Sequence, residues 1–176
     1  YKDLATFFEL SAESEHTHEY TAAWIDCLAS QEKLGRGHFL RGNHAKVTQP
    51  RVAAGKLKFS MPIDPPLSLV NSLSLRAFNT LYYNRQMQER SYATVHYDPF
   101  FYPLDFVQDW NRMYGPQGFL QYQCVVPNET SYDATREMLQ RIAAANSGSF
   151  LVVLKVFGDV PSPGMLSFPR PGATLA

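Results

Sequence analysis

Two stretches in the C-terminal half alternate so regularly between apolar and polar positions that they set the expected architecture. From Phe119 to Val126, an extended chain puts Leu120, Tyr122, Cys124 and Val126 on one side. Phe119, Gln121, Gln123 and Val125 take the other side. The first set reads as core. The second places two amides between apolar walls, the composition of a pocket floor. A second strand, Phe150 to Phe157, divides in the same way. Phe150, Val152, Leu154 and Val156 face one direction, and Leu151, Val153, Lys155 and Phe157 the other. Lysine on so apolar a strand is costly unless its ammonium reaches water, a carboxylate or a ligand. A lysine snorkelling from an edge strand fits the pattern as well as one that holds a ligand.

Between these strands the period changes to that of a helix. Thr130-Ser-Tyr-Asp133 has the spacing of a capping box, and the helix it opens is expected to bury Tyr132, Thr135, Leu139 and Ile142. Asn146-Ser-Gly148 stops it, which completes a β-α-β unit of about forty residues.

The N-terminal half is read in the same way. Lys2 to Ser11 predicts a helix with Leu4, Phe7, Phe8 and Leu10 on its apolar side, followed by a loop from Ala12 to His18. Tyr20–Leu28 and Gly35–Gly42 predict a hairpin of two strands. Asn43 to Pro66 reads as irregular. Leu69 to Gln88 shows helical spacing through Val70, Leu73, Ala77 and Leu81. Ser91 to Tyr97 predicts a strand, Pro99 to Pro103 an aromatic turn, and Asp105 to Tyr114 a short helix stopped by Gly115-Pro116. Five strands and three or four helices predict an α+β fold: a mostly antiparallel sheet with helices packed on one face, including one β-α-β unit.

Composition narrows the function. The chain has 176 residues, enough for one domain with an ordinary core, and 45% of them are hydrophobic against 18% charged. Its net charge is zero and it has no basic tract, so the electrostatic footprint of a nucleic-acid binder is missing. No apolar run has the length of a transmembrane segment. The chain begins at Tyr1 without a methionine or signal-peptide pattern and stops at Ala176 after a proline-rich turn. It is expected to be a single domain, residues 1–176, of a longer polypeptide.

Reaction machinery is hard to find. There is no Gly-rich phosphate loop, since Gly115-Pro-Gln-Gly118 is only a turn. His16 and His18 lack a third metal ligand. His38 and His44 read as exposed strand histidines. Cys27 and Cys124 read as buried free thiols without an activating setting. Asp105 and Asp109 fit helix capping better than acid–base work. The cluster Phe100-Phe-Tyr102 suits core or an apolar wall for a greasy ligand. The residues by themselves describe a binding surface.

The motifs Phe101-Tyr-Pro-Leu-Asp105, Trp110-Asn-Arg112, Tyr114-Gly-Pro116, Gly118-Phe-Leu-Gln-Tyr-Gln123, Leu154-Lys-Val-Phe-Gly158 and Leu166-Ser-Phe-Pro169 carry a resemblance. Ala23-Trp-Ile-Asp26, Leu34-Gly-Arg36 and Arg41-Gly42 add to it. In this order they resemble the cap, or substrate-binding, domain of the vanillyl-alcohol-oxidase-like FAD-linked oxidoreductases. The resemblance is specific in 90–130 and 148–169 and thin in 43–90. It implies oxidation of an alcohol, a sugar or sugar-lipid hydroxyl, by hydride transfer to FAD. The flavin would be held by an FAD-binding domain of the same polypeptide, with no catalytic residue, metal or FAD site in this chain and no activity by this chain alone. The substrate-binding positions implied are Tyr102, Gln121, Gln123, Lys155, Leu151, Val153, Phe157 and Trp24. A reductase partner and a cytoplasmic location, at the membrane where the substrate carries a lipid, also follow from the resemblance. A stand-alone small-molecule or lipid-binding module without redox function is the alternative.

Overall fold

A computed structural model describes residues 1–46, 52, 59–60, 64–66, 68–102, 107–167 and 169–176. Helix α1 (Leu4–Ser14) starts where the Asp3 carboxylate accepts from the Thr6 amide at 2.8 Å, and it runs three residues past the expected stop. Strands β1 (Tyr20–Ile25) and β2 (Gly37–Gly42) form the predicted antiparallel hairpin, with Trp24 opposite His38. A two-residue strand, β3 (Phe59–Ser60), precedes α2 (Ser72–Asn84) and α3 (Tyr97–Phe101). Then come β4 (Val107–Gln108), β5 (Cys124–Val126), α4 (Ser131–Ala145), β6 (Val153–Phe157) and β7 (Gly172–Leu175).

The main sheet has the order β2-β1-β6-β7-β5, every pairing antiparallel. The α+β class and the antiparallel sheet are as expected. Since β7 runs opposite to both neighbours, β5 and β6 are parallel with one strand between them, and α4 makes the crossover. Gly172 permits the last strand to enter: a Cβ there would strike the carbonyl oxygen of Val126.

Leu4, Phe7, Ala23, Ile25, Leu139, Val152, Leu154 and Leu175 form the core, so α1 and α4 cover the face bearing Ala23 and Leu154. Helix α2 is fixed at the end of β1 by a polar contact. Asp26 is buried and accepts from Arg36 Nε and Nη2 at 3.0 and 2.9 Å, from Asn79 Nδ2 at 2.9 Å and from the Leu28 amide at 3.2 Å. That contact turns Leu75 and Asn79 inward. Leu73 and Leu81, on the stripe that the spacing singled out, stay exposed.

Several expectations need correction. Residues 91–96 form no strand, and 97–101 form a helical turn. The fifth strand of the sheet is β7, which the proline-rich surroundings concealed. Leu120 and Tyr122 are not core: β7 ends opposite Cys124, no described strand pairs with 119–123, and both side chains are exposed. Tyr132 is exposed on α4, resting edge-on against Phe8. No Thr130 capping bond forms, because a 3-10 turn at Asn128–Thr130 leads into the helix and Ser131 Oγ donates to Asn128 O. The helix read from Asp105 is a short parallel pairing of β3 with β4 followed by a 3-10 turn at Trp110–Tyr114. Asp105 itself and most of the 43–66 reading lie outside the described residues.

Candidate functional site

The sheet face opposite α1 and α4 carries most of the residues singled out above. Register places Lys155 opposite Thr174 and Val153 opposite Trp24, with Val125 also opposite Thr174. Alternation then brings Lys155, Phe157, Val153, Thr174, Val125 and Trp24 onto one face. Gln123 joins them, since its Nε2 donates to Thr174 Oγ1 at 2.9 Å. Thr174 is 1% exposed, whereas the Lys155 side chain above it is exposed and forms no ion pair among the described residues. The arrangement is a buried hydroxyl, an amide and an ammonium on an otherwise apolar floor. Such a surface can hydrogen-bond a polyol or an anionic oxygen while its Val and Phe side chains pack on carbon.

One side of this floor is walled by rings. Trp24 lies 4.7 Å from Tyr82, Tyr82 5.5 Å from Phe78, Phe78 5.7 Å from Phe150, and Phe150 5.7 Å from Tyr114. Tyr114 in turn stacks on Phe119 at 4.4 Å. The indole is locked because its Nε1 donates to Phe150 O at 2.8 Å. Arg85 caps the row, its guanidinium 4.0 Å from the Tyr82 ring centroid.

The predicted residues do not all gather here. Gln121 is exposed in the unpaired stretch before β5, and Leu151 is half-buried just before β6. Tyr102 sits at the end of α3, exposed, with Phe101 6.4 Å away. That end of the chain borders a recess of about 320 Å³ between Tyr20, Arg41, His44, His96, Phe100 and Phe101. A second recess of about 530 Å³ lies between Asp64, Pro65, Arg112, Gly115 and Phe119. Neither includes Lys155 or Gln123. No group of three or more metal-binding side chains occurs among the described residues, nor does any helix there have the length and apolarity to cross a membrane.

Two residues were missed by the sequence reading. Thr174 lies on a four-residue strand just after Pro169 and Pro171, too short for an alternation signal. His38, read as exposed, is half-buried against Trp24 and Tyr82 and donates its Nε2 proton to Tyr82 O at 2.8 Å. Burial first, and Arg85 to a lesser degree, push its pKa below the usual range, while the Tyr82 bond pulls the other way. The unfolded chain therefore takes up a proton at His38 before the folded chain does as pH falls. Its contribution to stability is complete above the ordinary value of about 6.5 and is lost as pH falls toward the depressed folded value. Urea midpoints recorded from about pH 7.5 down to about pH 5.5 should fall more steeply for the parent than for His38→Gln. Parallel curves would remove His38 from the pH response. Cys27 is buried and its thiol is pushed up by that burial, the opposite of an activated nucleophile.

No protein-family model matches the chain. Among curated proteins, decaprenylphosphoryl-β-D-ribose oxidase of Mycolicibacterium smegmatis is 35% identical over 167 residues, which cover 90% of this chain. The chain is similar to part of that oxidase. It spans 36%, about a third, of the oxidase's length. The resemblance read from separate motifs is thus matched by a similarity to a decaprenylphosphoryl-β-D-ribose oxidase over 90% of the chain.

Proposed function

We propose that this chain is the substrate-binding portion of an FAD-linked oxidoreductase that oxidises a sugar or sugar-lipid hydroxyl. The similarity to decaprenylphosphoryl-β-D-ribose oxidase over nine-tenths of the chain carries the reading. The sheet face supplies its chemistry: Lys155 and Gln123 donate to hydroxyl or phosphate oxygens, Thr174 fixes the Gln123 amide, and Phe157 presents flat apolar surface to a sugar ring, with the buried Trp24 supporting the same face.

What supports placing FAD elsewhere is that no described helix opens on a glycine-rich turn. A dinucleotide phosphate seeks a glycine-rich turn at a free helix N-terminus. Here the Asp3 carboxylate occupies the start of α1, and the Asn71 side chain accepts from Leu73 and Ser74 at the start of α2. The flavin that accepts the hydride in this reading is held by another part of the same polypeptide, and this chain binds and orients the alcohol.

The whole polypeptide should then purify with bound flavin, and a polyprenylphosphoryl pentose added without oxygen should bleach it. The 176-residue chain alone should be colourless. Stoichiometric flavin on the 176-residue chain would overturn the division of labour, and a flavin unmoved by every sugar-lipid would overturn the substrate class.

A further inference from the structure

Helix α2 presents to solvent a surface that the candidate site does not use. Leu73 and Leu81 are 78% and 74% exposed. Successive helical residues turn by about 100°, so Leu73, Ala77 and Leu81 fall in one stripe roughly 80° wide. The same geometry sets Arg76 on one flank of the stripe and Arg85 on the other. Apolar surface continues beyond both ends of the helix, at Leu69 and Met87, each exposed.

Charge distinguishes this surface from an ordinary solvated helix. From residue 65 to residue 88 the sequence contains Arg76 and Arg85 and no Asp or Glu. Neither guanidinium pairs with a carboxylate among the described residues. Arg76 donates to Asn146 Oδ1 at 2.7 Å and to Leu28 O at 3.3 Å, and Arg85 stacks on Tyr82. Both keep full positive charge beside exposed leucines.

We propose that the Leu73–Ala77–Leu81 stripe is an interfacial contact that rests on an anionic bilayer. The leucines enter the headgroup–acyl boundary, and Arg76 and Arg85 lie at the level of the lipid phosphates. A neutral protein partner would use the leucines but gain nothing from uncompensated cations on both flanks. Two leucines and two arginines make a weak, reversible contact, not an anchor.

The proposal stands apart from the sugar-lipid reading and fails separately from it. The full-length protein is mixed with vesicles of phosphatidylglycerol and phosphatidylcholine, or of phosphatidylcholine alone, and floated through a density gradient. Anionic vesicles should carry it, neutral ones roughly tenfold less, and L73Q/L81Q should lose roughly tenfold of the bound fraction. R76Q/R85Q should abolish the preference for anionic lipid. Leu73 and Leu81 lie on the exposed face, and flavin reduction by a short-chain, water-soluble substrate should be unchanged in L73Q/L81Q. Failure of the parent to float, or equal flotation of parent and L73Q/L81Q, overturns the proposal. So does a parent that is dimeric in solution, floats on neither vesicle and becomes monomeric in L73Q/L81Q, which assigns the stripe to a second copy.

Discussion

If the proposed function holds, Lys155→Ala in the full-length protein is expected to lower kcat/KM for a sugar substrate at least tenfold, with flavin content and unfolding midpoint unchanged. Lys155 is exposed, lies opposite Thr174 in the register and forms no ion pair among the described residues, so its three N–H donors are available to an incoming oxygen. Losing a hydrogen bond from a charged donor costs about 1.5–3 kcal/mol, and about 1.4 kcal/mol corresponds to a factor of ten. Being exposed, the side chain supports no packing whose removal would unfold the domain. Steady-state kinetics beside a flavin spectrum separate the outcomes. Parent-like turnover would make Lys155 a lysine that only solvates the sheet, and a lost flavin signal would make the effect structural.

The largest effect on stability should come from Asp26→Ala, which is expected to destabilise the domain by about 3–5 kcal/mol. The substitution leaves the Arg36 guanidinium, whose side chain is 13% exposed, and the buried Asn79 amide without their acceptor. Among the described residues Asn79 Oδ1 is already buried without a partner, so they offer the side chain no second bond to fall back on. Against a total stability typical of single domains, about 5–15 kcal/mol, the loss would be plain in urea unfolding. Asp26→Ala combined with Arg36→Met should recover part of it by removing the orphaned cation. If Asp26→Ala unfolds at the parent's urea concentration, this network does not hold α2. The functional consequence is local: the network seats α2, and α2 carries the Tyr82 and Phe78 rings that wall the candidate site beside Trp24.

Legibility in the sequence followed the length of the periodic signal. The strand around Lys155 alternates over eight residues, and its division into a Leu154 face and a Lys155 face is the observed one. The end of α4 at Asn146 was equally plain, since a residue at φ 52° is suited by Asn. Residues 91–97 failed because alternation alone predicts an extended chain and not a partner for it, and no described strand pairs with them. The stretch 119–123 failed for a related reason: its pattern is that of a strand, but β7 offers ladder partners only from Cys124 onward. On α2 two apolar stripes compete, and the choice between them rests on Asn79 meeting a carboxylate 53 residues away. No window of local sequence contains that contact. Of the candidate site, the Gln123–Lys155 relation was readable from the crossover, while Thr174 was not.

Strand β7 sits inside the sheet although it follows β5 and β6 in sequence, and this sets an order of events during synthesis. Gln123 leaves the ribosome 51 residues before Thr174, the partner of its side chain. Until β7 arrives, β5 has no neighbour and β6 is paired only with β1 among the described strands. The hairpin and α1 can assemble early, but the floor around Lys155 cannot close until β7 slots between two waiting edges. Closing contacts so distant in sequence is entropically slow. A nascent chain halted before Gly172 would therefore hold Lys155 on an open sheet edge, with its binding surface half built and exposed to pairing with other chains.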